Sequence, residues 1–301
     1  MKFVITGGAG FIGSHIAKHL VEKNHDVIVV DNLSRGRLEN LSTIKEKIEF
    51  KKMDILDFNS LKDIIYECDG IFHQAALTSV PESFLQKEKY HNVNVNGTEN
   101  IFKLAKEFEK KVVYASSSSI YGNTTKIPIS ENFERKPINP YGVTKLDDEL
   151  LAAKYHNLGV SIIGLRYFNV YGVGQTNDYA GVITKFVNQI NLNKSPMIFG
   201  DGSQTRDFVY VEDIAKANLL SMESESTFSF LNIGTGISTS IRKLAEIMIE
   251  LSGKQLELTF DNLPEGDIKN SLAEISYAKK LINWNHETSL KNGLKNSFFK
   301  N

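Results

Sequence analysis

A glycine-rich turn near the N-terminus constrains the fold of this chain more than any other segment. Gly7, Gly10 and Gly13 lie between an apolar run, Lys2–Thr6, and a helical pattern, Ser14–Lys23. In a strand–turn–helix unit, the first glycine permits a tight turn, the second lets a ligand approach the backbone, and the third lets the helix pack on the sheet. The free N–H groups at the start of the helix favour a diphosphate. The segment therefore predicts a dinucleotide-binding unit.

An acidic residue at the end of the second predicted strand specifies the dinucleotide. This strand, Asp26–Val30, is followed by Asp31. A carboxylate at that position can accept hydrogen bonds from a ribose 2′-hydroxyl and repels a 2′-phosphate, which favours NAD over NADP. Arg35 and Arg37 follow closely and would weaken the preference. We therefore expect NAD as the cofactor.

The first half of the chain alternates short apolar runs with helix-length segments. This rhythm predicts an α/β fold of the Rossmann type, with a doubly wound parallel sheet covered by helices on both faces. After residue 165 the loops lengthen, which predicts a smaller, interleaved C-terminal α/β substrate lobe. We expect residues 1–165, rejoined near 228–235, to bind NAD and residues 166–301 to bind the substrate. Predicted strands are Lys2–Thr6, Asp26–Val30, Ile48–Lys52, Gly70–His73, Val112–Ala115, Val160–Leu165 and Phe228–Ile233; predicted helices include Ser14–Lys23, Asn94–Glu109 and Pro140–Asn157.

Charge and cysteine content argue against several other classes of protein. The formal net charge of −1 provides no field that would attract nucleic acid or anionic lipid. A single cysteine, Cys68, cannot form an intramolecular disulfide, and no Cys/His spacing suggests a metal site. No signal peptide is recognisable, and no stretch approaches the ~18 apolar residues of a membrane span. We expect a cytoplasmic enzyme without a metal.

A tyrosine and a lysine four residues apart carry the predicted chemistry. Tyr141 and Lys145 share one face of a helix that Asn139 can cap and Pro140 can begin. An ammonium beside a phenol favours the phenolate, and a cationic nicotinamide would add to this effect. Tyr141 could then act as a general base near neutral pH. The preceding strand ends in a serine-rich segment, 116–119, at the sheet edge where open α/β sheets bind ligands.

These motifs, in this order, resemble the extended short-chain dehydrogenase/reductase family, which includes NAD-dependent sugar-nucleotide epimerases and dehydratases. The glycine spacing and the Tyr141–Lys145 pair carry the resemblance, and further segments extend it over nearly the whole chain. The resemblance implies that Ser117 assists Tyr141, while NAD oxidises a UDP-sugar at C4. The segments similar to the family are Asp54-Ile55, 73–76, 96–98, 166–172, 200–202, 206–208 and 265–267.

Site residues are assigned from the motifs and the resemblance together. The catalytic residues are Tyr141, Lys145 and Ser117. The cofactor-binding residues are Gly7, Gly10, Phe11, Ile12, Gly13, Asp31, Asn32, Ser34, Arg35, Asp54, Ile55, Gln74, Ala75, Ala76, Tyr141, Lys145 and Phe168. The substrate-binding residues are Ser79, Ser117, Tyr141, Asn169, Val182, Phe199, Arg206, Asp267 and Ser271.

The reaction that the resemblance implies depends on two further positions. Dehydratases of the family carry Asp-Glu just after the assisting serine, and its decarboxylases carry a glutamate two residues before the tyrosine of this segment. Here those positions are Ser118 and Ser119, which cannot supply a carboxyl acid. We therefore expect inversion of C4 in a UDP-hexose. The alternatives are a UDP-glucuronate 4-epimerase, a dehydratase or decarboxylase, and a non-catalytic NAD-binding module.

Two positions in the C-terminal part bear on the substrate. Ser271 stands where the family places a large aromatic residue when only plain hexoses fit, so we expect N-acetylated hexoses to be accepted as well. Pro264 replaces the usual arginine of the closing motif, which weakens the expected grip on the diphosphate. The resemblance also implies a homodimer formed by helices near Asn94–Glu109 and Val143–Asn157. Their apolar stripes are Ile101, Leu104 and Phe108, and Leu146, Leu150 and Ala153.

Overall fold

A seven-stranded parallel sheet forms the centre of the protein in a computed structural model that describes residues 1–175, 181–262 and 269–299. Its strand order is β3-β2-β1-β4-β5-β6-β11, and each neighbouring pair runs parallel. The sequence order therefore reverses between β1 and β4, where sheets of this kind bind their ligands. The strands are β1 (Lys2–Thr6), β2 (Asp26–Asp31), β3 (Ile48–Lys52), β4 (Gly70–His73), β5 (Lys111–Ser117), β6 (Ile162–Tyr167) and β11 (Phe228–Ile233).

Helices cover both faces of this sheet, as the alternating pattern predicts. One apolar layer contains Phe3 and Ile5 of β1 with α1, α8 and α10, and the other contains Val4 of the same strand with α2, α5 and α6. Alternate residues of one strand thus enter opposite layers, which is why the strand is apolar throughout. The helices are α1 (Phe11–Glu22), α2 (Phe58–Tyr66), α5 (Gly97–Glu107), α6 (Pro140–His156), α8 (Val211–Glu223) and α10 (Ser276–Ile282).

Several predicted elements differ from the structure at their boundaries; α1, for example, begins at Phe11 and not at Ser14, and β5 spans Lys111–Ser117 and not Val112–Ala115. The sixth strand begins at Ile162 instead of Val160, because the Val160 amide is used in a turn that follows α6, where it donates to the Tyr155 carbonyl at 3.1 Å. The helix predicted from Asn94 begins as a π-helical turn, Asn92–Asn96, and becomes α-helical at Gly97. Such single π turns occur frequently at functional sites.

A third apolar cluster is formed by elements that follow β6 in the sequence and includes Phe186, Ile198, Leu244 and Leu294. Three short strand pairs accompany it: β7 with β10, β8 with β13, and β9 with β12. The remaining elements are α3 (Val80–Leu85), α4 (Lys87–His91), β7 (Asn169–Tyr171), α7 (Val182–Asn191), β8 (Met197–Phe199), β9 (Thr205–Arg206), β10 (Phe208–Tyr210), β12 (Thr239–Ser240), α9 (Ile241–Ser252), β13 (Thr259–Asp261) and α11 (Leu290–Phe298).

The helices of the described ranges are short and carry charged residues. The longest helix in the described ranges, α6, has 17 residues and carries Lys145, Asp148 and Glu149. Within those ranges, no helix combines the length and the apolar character needed to cross a membrane.

Candidate active site

A cavity of about 350 Å³ opens at the carboxyl ends of the strands, on either side of the β1–β4 boundary. Its volume falls in the range of small-molecule and cofactor sites. The glycine turn, the end of β2, the segment after β4, the end of β5 and the start of α6 all contribute to its wall. Predicted site residues that line it are Gly7, Gly10, Phe11, Ile12, Gly13, Asp31, Asn32, Ser34, Arg35, Ile55, Gln74, Ala75, Ala76, Ser117, Tyr141, Lys145 and Phe168.

The glycine turn is shaped for close approach of a ligand. Gly7 has φ +68°, and a Cβ there would lie 2.6 Å from the Ala75 amide nitrogen. Both the backbone conformation and the lack of space therefore exclude a side chain at this position. A Cβ on Gly13 would overlap the Gly7 carbonyl oxygen. At Gly10, in contrast, a Cβ would have only that carbonyl as a neighbour, at 3.1 Å, and would otherwise enter open space. The residues present therefore fit a diphosphate held at the start of α1.

Asp31 is held in place by the backbone at the end of β2. It is buried, and its carboxylate accepts hydrogen bonds from the amides of Ala9 (3.0 Å) and Leu33 (2.8 Å). Burial raises the pKa of Asp31, and these two hydrogen bonds act in the opposite direction. A Cβ on Gly36 would lie 2.6 Å from the carboxylate oxygens, so this glycine leaves the space beside them open. The carboxylate is thus fixed at the cavity, as an acceptor for ribose hydroxyls must be.

Neighbouring residues on this side of the cavity are paired with each other. The Arg35 guanidinium binds the Glu82 carboxylate of α3, with a shortest distance of 2.7 Å. This pair joins the loop after β2 to the segment after β4. The Asn32 side-chain amide donates to Asp54 at 2.9 Å; Asp54 itself does not line the cavity, whereas its neighbour Ile55 does.

Ser117, Tyr141 and Lys145 meet at the same cavity from two elements. Ser117 ends β5, and its hydroxyl donates to Ser119 Oγ and accepts from the Ser119 amide, both at 3.1 Å. Helix α6 begins as predicted, because the Asn139 side chain accepts from the Gly142 amide at 2.8 Å and Pro140 occupies its first turn. Lys145 is buried, with 3% of its surface exposed.

Buried polar residues that were not predicted as site residues support these elements. Asn94, in the π turn, accepts from the Leu77 amide at 2.8 Å and donates to Thr144 Oγ1 at 3.0 Å, so it links the cavity wall to α6. The ring nitrogens of His73 lie 2.6 Å from Thr6 Oγ1 and 2.9 Å from Thr98 Oγ1. Full burial lowers the pKa of His73 to about 3, so the ring is neutral at physiological pH. These bonds join β1, β4 and α5 beneath the glycine turn.

A buried ion pair fixes α6 against the sheet. Arg166 of β6 donates to both oxygens of Glu149 at 2.8 Å, and Ser116 donates to the same carboxylate at 2.7 Å. Arg166 also donates to the Tyr121 hydroxyl, which in turn donates to Asn232 of β11. Both charges are buried and satisfied, the condition under which a buried pair is tolerated. The network ties β5, β6, β11 and α6 together directly behind Ser117 and Tyr141.

Apart from Ser117 and Tyr141, the predicted substrate residues within the described ranges do not line this cavity. The Asn169 amide donates to the Asp207 carbonyl at 3.0 Å, and the Ser271 amide donates to the Thr205 carbonyl at 3.1 Å. Asn169, Arg206 and Ser271 are thereby brought close together. Phe199 ends β8, Val182 begins α7 and Ser79 caps α3. Asp267 and Pro264 lie outside the described residues.

Asp207 and Asp148 are two buried carboxylates that the sequence analysis did not assign. Asp207 accepts from the amides of Thr235, Gly236 and Ala273 and so anchors the strand that carries Arg206. Asp148 contacts Lys145. Position alone could have indicated Asp148, because it is seven residues after Tyr141 and three after Lys145 and therefore lies on the same helix face.

Comparison with known proteins agrees with this arrangement. The model of the NAD dependent epimerase/dehydratase family matches residues 3–234. A putative UDP-glucose 4-epimerase of Methanocaldococcus jannaschii is 40% identical over 97% of this chain and 95% of its own length.

Solved structures extend the similarity to proteins with bound ligands. The UDP-N-acetylglucosamine 4-epimerase of Methanobrevibacter ruminantium, in complex with UDP-N-acetylmuramic acid, has a TM-score of 0.94 and 37% identity, covering 99% of this chain and 96% of its own. The UDP-glucuronic acid 4-epimerase of Bacillus cereus, in complex with UDP-glucuronic acid and NAD, has a TM-score of 0.91 and 31% identity, covering 99% and 98%. The glycine turn, the sheet order and these similarities lead to one conclusion: the chain is an enzyme of the NAD-dependent epimerase/dehydratase family, within the extended short-chain dehydrogenases/reductases.

Proposed function

We propose that this enzyme is a UDP-hexose 4-epimerase that interconverts UDP-glucose and UDP-galactose and also their N-acetylated counterparts. The observation that carries the proposal is the convergence of Ser117, Tyr141 and Lys145 on the cavity that the glycine turn and Asp31 line. A base, a cation and a hydroxyl donor are thereby placed beside the site for the nicotinamide cofactor.

The chemistry assigned to these residues is a reversible oxidation of the sugar at C4. Tyr141, as phenolate, accepts the proton of the 4-hydroxyl, and the Lys145 ammonium favours that phenolate. Ser117 donates a hydrogen bond to the oxygen at C4 in place of its hydrogen bond to Ser119 Oγ. NAD bound in the cavity supplies the acceptor for the C4 hydride and the donor for its return. The 4-keto sugar then rotates in the site and presents its other face to the hydride donor. When hydride returns to that face, Tyr141 gives the proton back, so C4 is inverted without net oxidation.

The residues after Ser117 favour epimerisation over elimination or decarboxylation. Ser118 and Ser119 form a 3₁₀ turn with Tyr121 at the end of β5, in the place where a carboxyl acid would be needed. A serine hydroxyl cannot deliver a proton as a carboxylic acid does near neutral pH. These residues therefore cannot promote elimination or decarboxylation of the 4-keto sugar, and reduction at C4 is the reaction that remains.

The proposed substrate preference rests on Asn169, Arg206 and Ser271. Arg206 and Asn169 are assigned to the UDP diphosphate, because a guanidinium fork matches phosphate oxygens. The small side chain of Ser271, beside Thr205, is assigned to leave room for a 2-acetamido group. The similarity to a UDP-N-acetylglucosamine 4-epimerase supports this assignment.

A UDP-glucuronate 4-epimerase is the second candidate. The similarity to the B. cereus enzyme in complex with UDP-glucuronic acid favours it. Asn169 argues in the other direction, because uronate enzymes of the family tend to carry threonine there.

Further proposals concern the organisation of the whole enzyme. We assign NAD binding to residues 1–165 together with 228–235, and UDP-sugar binding to 166–301. The pairing of β11 with β6 supports this interleaved division. We also propose that the enzyme is a cytoplasmic homodimer.

Product analysis tests the proposed activity. The purified enzyme would be incubated separately with UDP-glucose, UDP-N-acetylglucosamine and UDP-glucuronate, and the products separated and identified. We expect UDP-galactose and UDP-N-acetylgalactosamine from the first two substrates. Turnover of UDP-glucuronate alone, or a stable 4-keto-6-deoxy product, would show that the proposal is wrong.

A further inference from the structure

Helix α6 presents a third ionisable side chain on the face that carries Tyr141 and Lys145. Asp148 follows Tyr141 by two helical turns and Lys145 by less than one, so the three residues form a single row. Neither the motif nor the proposed chemistry uses Asp148. Its carboxylate nevertheless touches the lysine that lines the cavity.

The Lys145–Asp148 pair is buried on both sides. Lys145 Nζ donates to Asp148 Oδ2 at 3.1 Å, and the exposed side-chain fractions are 3% and 0%. The second carboxylate oxygen, Oδ1, makes no hydrogen bond of normal geometry within the described ranges, because the nearby Thr98 hydroxyl is paired with the His73 ring at 2.9 Å. Desolvating two charges is costly, and an unsatisfied carboxylate oxygen adds to that cost. Stability alone is therefore a poor explanation for an aspartate at this position.

Among the groups around Asp148, Lys145 favours its charged form most strongly. Burial raises the pKa of Asp148 to about 6, whereas the charge of Lys145 and its hydrogen bond, and the hydroxyl of Thr98, lower it. The carboxylate is therefore ionised at neutral pH. Titratable and polar groups around the pair are Thr98 of α5, His73 of β4, Tyr114 of β5, Arg166 of β6, and Asp147 and Glu149 of α6 itself.

We propose that Asp148 is a positioning residue that anchors the Lys145 ammonium and offsets part of its charge, thereby setting the pH at which Tyr141 becomes a base. The proposal rests on the roles proposed above for Tyr141 and Lys145. While Asp148 is ionised, its negative charge offsets part of the positive charge of Lys145. Lys145 then stabilises the phenolate of Tyr141 less strongly. Removing the negative charge while keeping an acceptor for Lys145 makes the phenolate easier to form.

The size of the effect follows from the geometry of the helix. Seven residues at 1.5 Å each separate Tyr141 from Asp148 by about 10 Å along the axis. At an effective dielectric constant of about 20, one charge at that distance shifts a proton equilibrium by about one pH unit. The variant Asp148→Asn removes the charge and retains an amide oxygen for the lysine. Asp147→Asn is the matched control, because it removes the same charge at a similar distance from Tyr141, but from a half-buried side chain outside the row that solvent screens.

Ultraviolet titration of tyrosinate tests the proposal directly in the NAD-loaded enzyme. Absorbance would be recorded against pH for the wild type, Asp148→Asn and Asp147→Asn, each corrected by the same protein carrying Tyr141→Phe. The pH profile of kcat/KM would be measured alongside. We expect the Tyr141 midpoint and the acid limb to move down by about one pH unit in Asp148→Asn and by clearly less in Asp147→Asn.

Each other result decides against the proposal. An unchanged midpoint in Asp148→Asn, or one shifted upwards, would mean that the carboxylate does not offset the lysine. Asp148→Ser, whose smaller side chain admits water beside Lys145, replaces Asp148→Asn if the latter does not fold, with the same expected shift. The absorbance titration needs no turnover, so an enzyme that is inactive on every UDP-hexose would contradict the proposed function while still deciding the role of Asp148.

Discussion

At the scale of single residues, the site depends on polar side chains that are buried and paired. Tyr141 and Lys145 follow from their spacing alone, because residues four apart share a helix face. Their supports do not: Asn94, His73 and Asp148 acquire their roles from contacts with residues distant in the sequence. A sequence pattern records which side chains can share a helix face, but not which neighbouring element will cover that face.

Replacing Tyr141 with phenylalanine should abolish most turnover and leave NAD in place. Loss of a general base costs on the order of 10²–10⁴-fold in rate. Steady-state kinetics and the NAD content of the purified protein would measure the two effects. Lys145→Met should likewise lose most turnover and retain NAD. Tyr155→Phe is the control, because Tyr155 lies on the same helix and donates to Glu99 instead. Near-full activity of Tyr141→Phe would show that another group is the base.

His73 should make the folded state sensitive to acid. Its pKa is lowered by burial from 6.5 to about 3, so its contribution to stability is complete above about pH 6.5 and is lost as the pH falls towards 3. The melting temperature of the wild type should therefore fall over this window. In His73→Gln the fall should be shallower, whereas exposed His91→Gln should retain the wild-type slope. Equal slopes for all three proteins would remove His73 as the cause.

At the scale of secondary-structure elements, the site is an assembly of strand ends and helix starts. The glycine turn and the Asn139–Pro140 cap could be predicted because each is a local pattern of a few residues. The strands on the substrate side have only two or three residues each, too few for an alternating pattern to reveal them. Their positions depend on pairing with strands elsewhere in the chain, which no local pattern encodes.

A side chain at Gly10 should exclude the cofactor without unfolding the turn. Gly10 has an extended backbone (φ −74°, ψ 179°) that any residue can adopt, and a Cβ there would meet only the Gly7 carbonyl oxygen, at 3.1 Å, which a small shift relieves. Gly10→Val should therefore retain its melting temperature in the absence of NAD but lose bound NAD. Gly181→Val is matched, because Gly181 also precedes a helix with an extended backbone and has open space beside its Cα. Full NAD content in Gly10→Val would place the diphosphate elsewhere.

At the scale of the whole molecule, the doubly wound sheet could be predicted from the sequence. The return of the chain to that sheet at β11, after the first substrate-side elements, could be predicted in part. Strands buried on both faces are nearly continuous apolar runs, so β1, β2, β4, β5, β6 and β11 are recognisable in the sequence. The edge strand β3 is recognisable from the alternation of Ile48 and Phe50 with charged residues instead. The Arg166–Glu149 pair that locks β6 to α6 was not predicted, because it joins residues whose charges alone would place them at the surface. The apolar residues that were assigned to a dimer interface differ in exposure. Ile101 and Leu104 are buried in the core, while Leu150 is 55% exposed.

The proposed dimer should depend on the exposed part of α6. Leu150 and Val143 are apolar and exposed on this helix, so a charge placed there would oppose burial in an interface. Leu150→Glu should shift the protein from dimer to monomer in analytical ultracentrifugation, with little change in melting temperature. Leu192→Glu, at an exposed leucine that ends α7, should leave the assembly as it is. A wild type that sediments as a monomer would contradict the dimer itself.

The central claim is that hydride leaves C4 of the sugar and returns to its other face within the same site. The most direct measurement uses UDP-N-acetylglucosamine labelled with deuterium at C4, incubated with the purified enzyme without added NAD. Mass spectrometry and nuclear magnetic resonance of the product should show UDP-N-acetylgalactosamine that still carries deuterium at C4. Exchange of the label with solvent, or a product with an unreduced C4 carbonyl, would contradict this account.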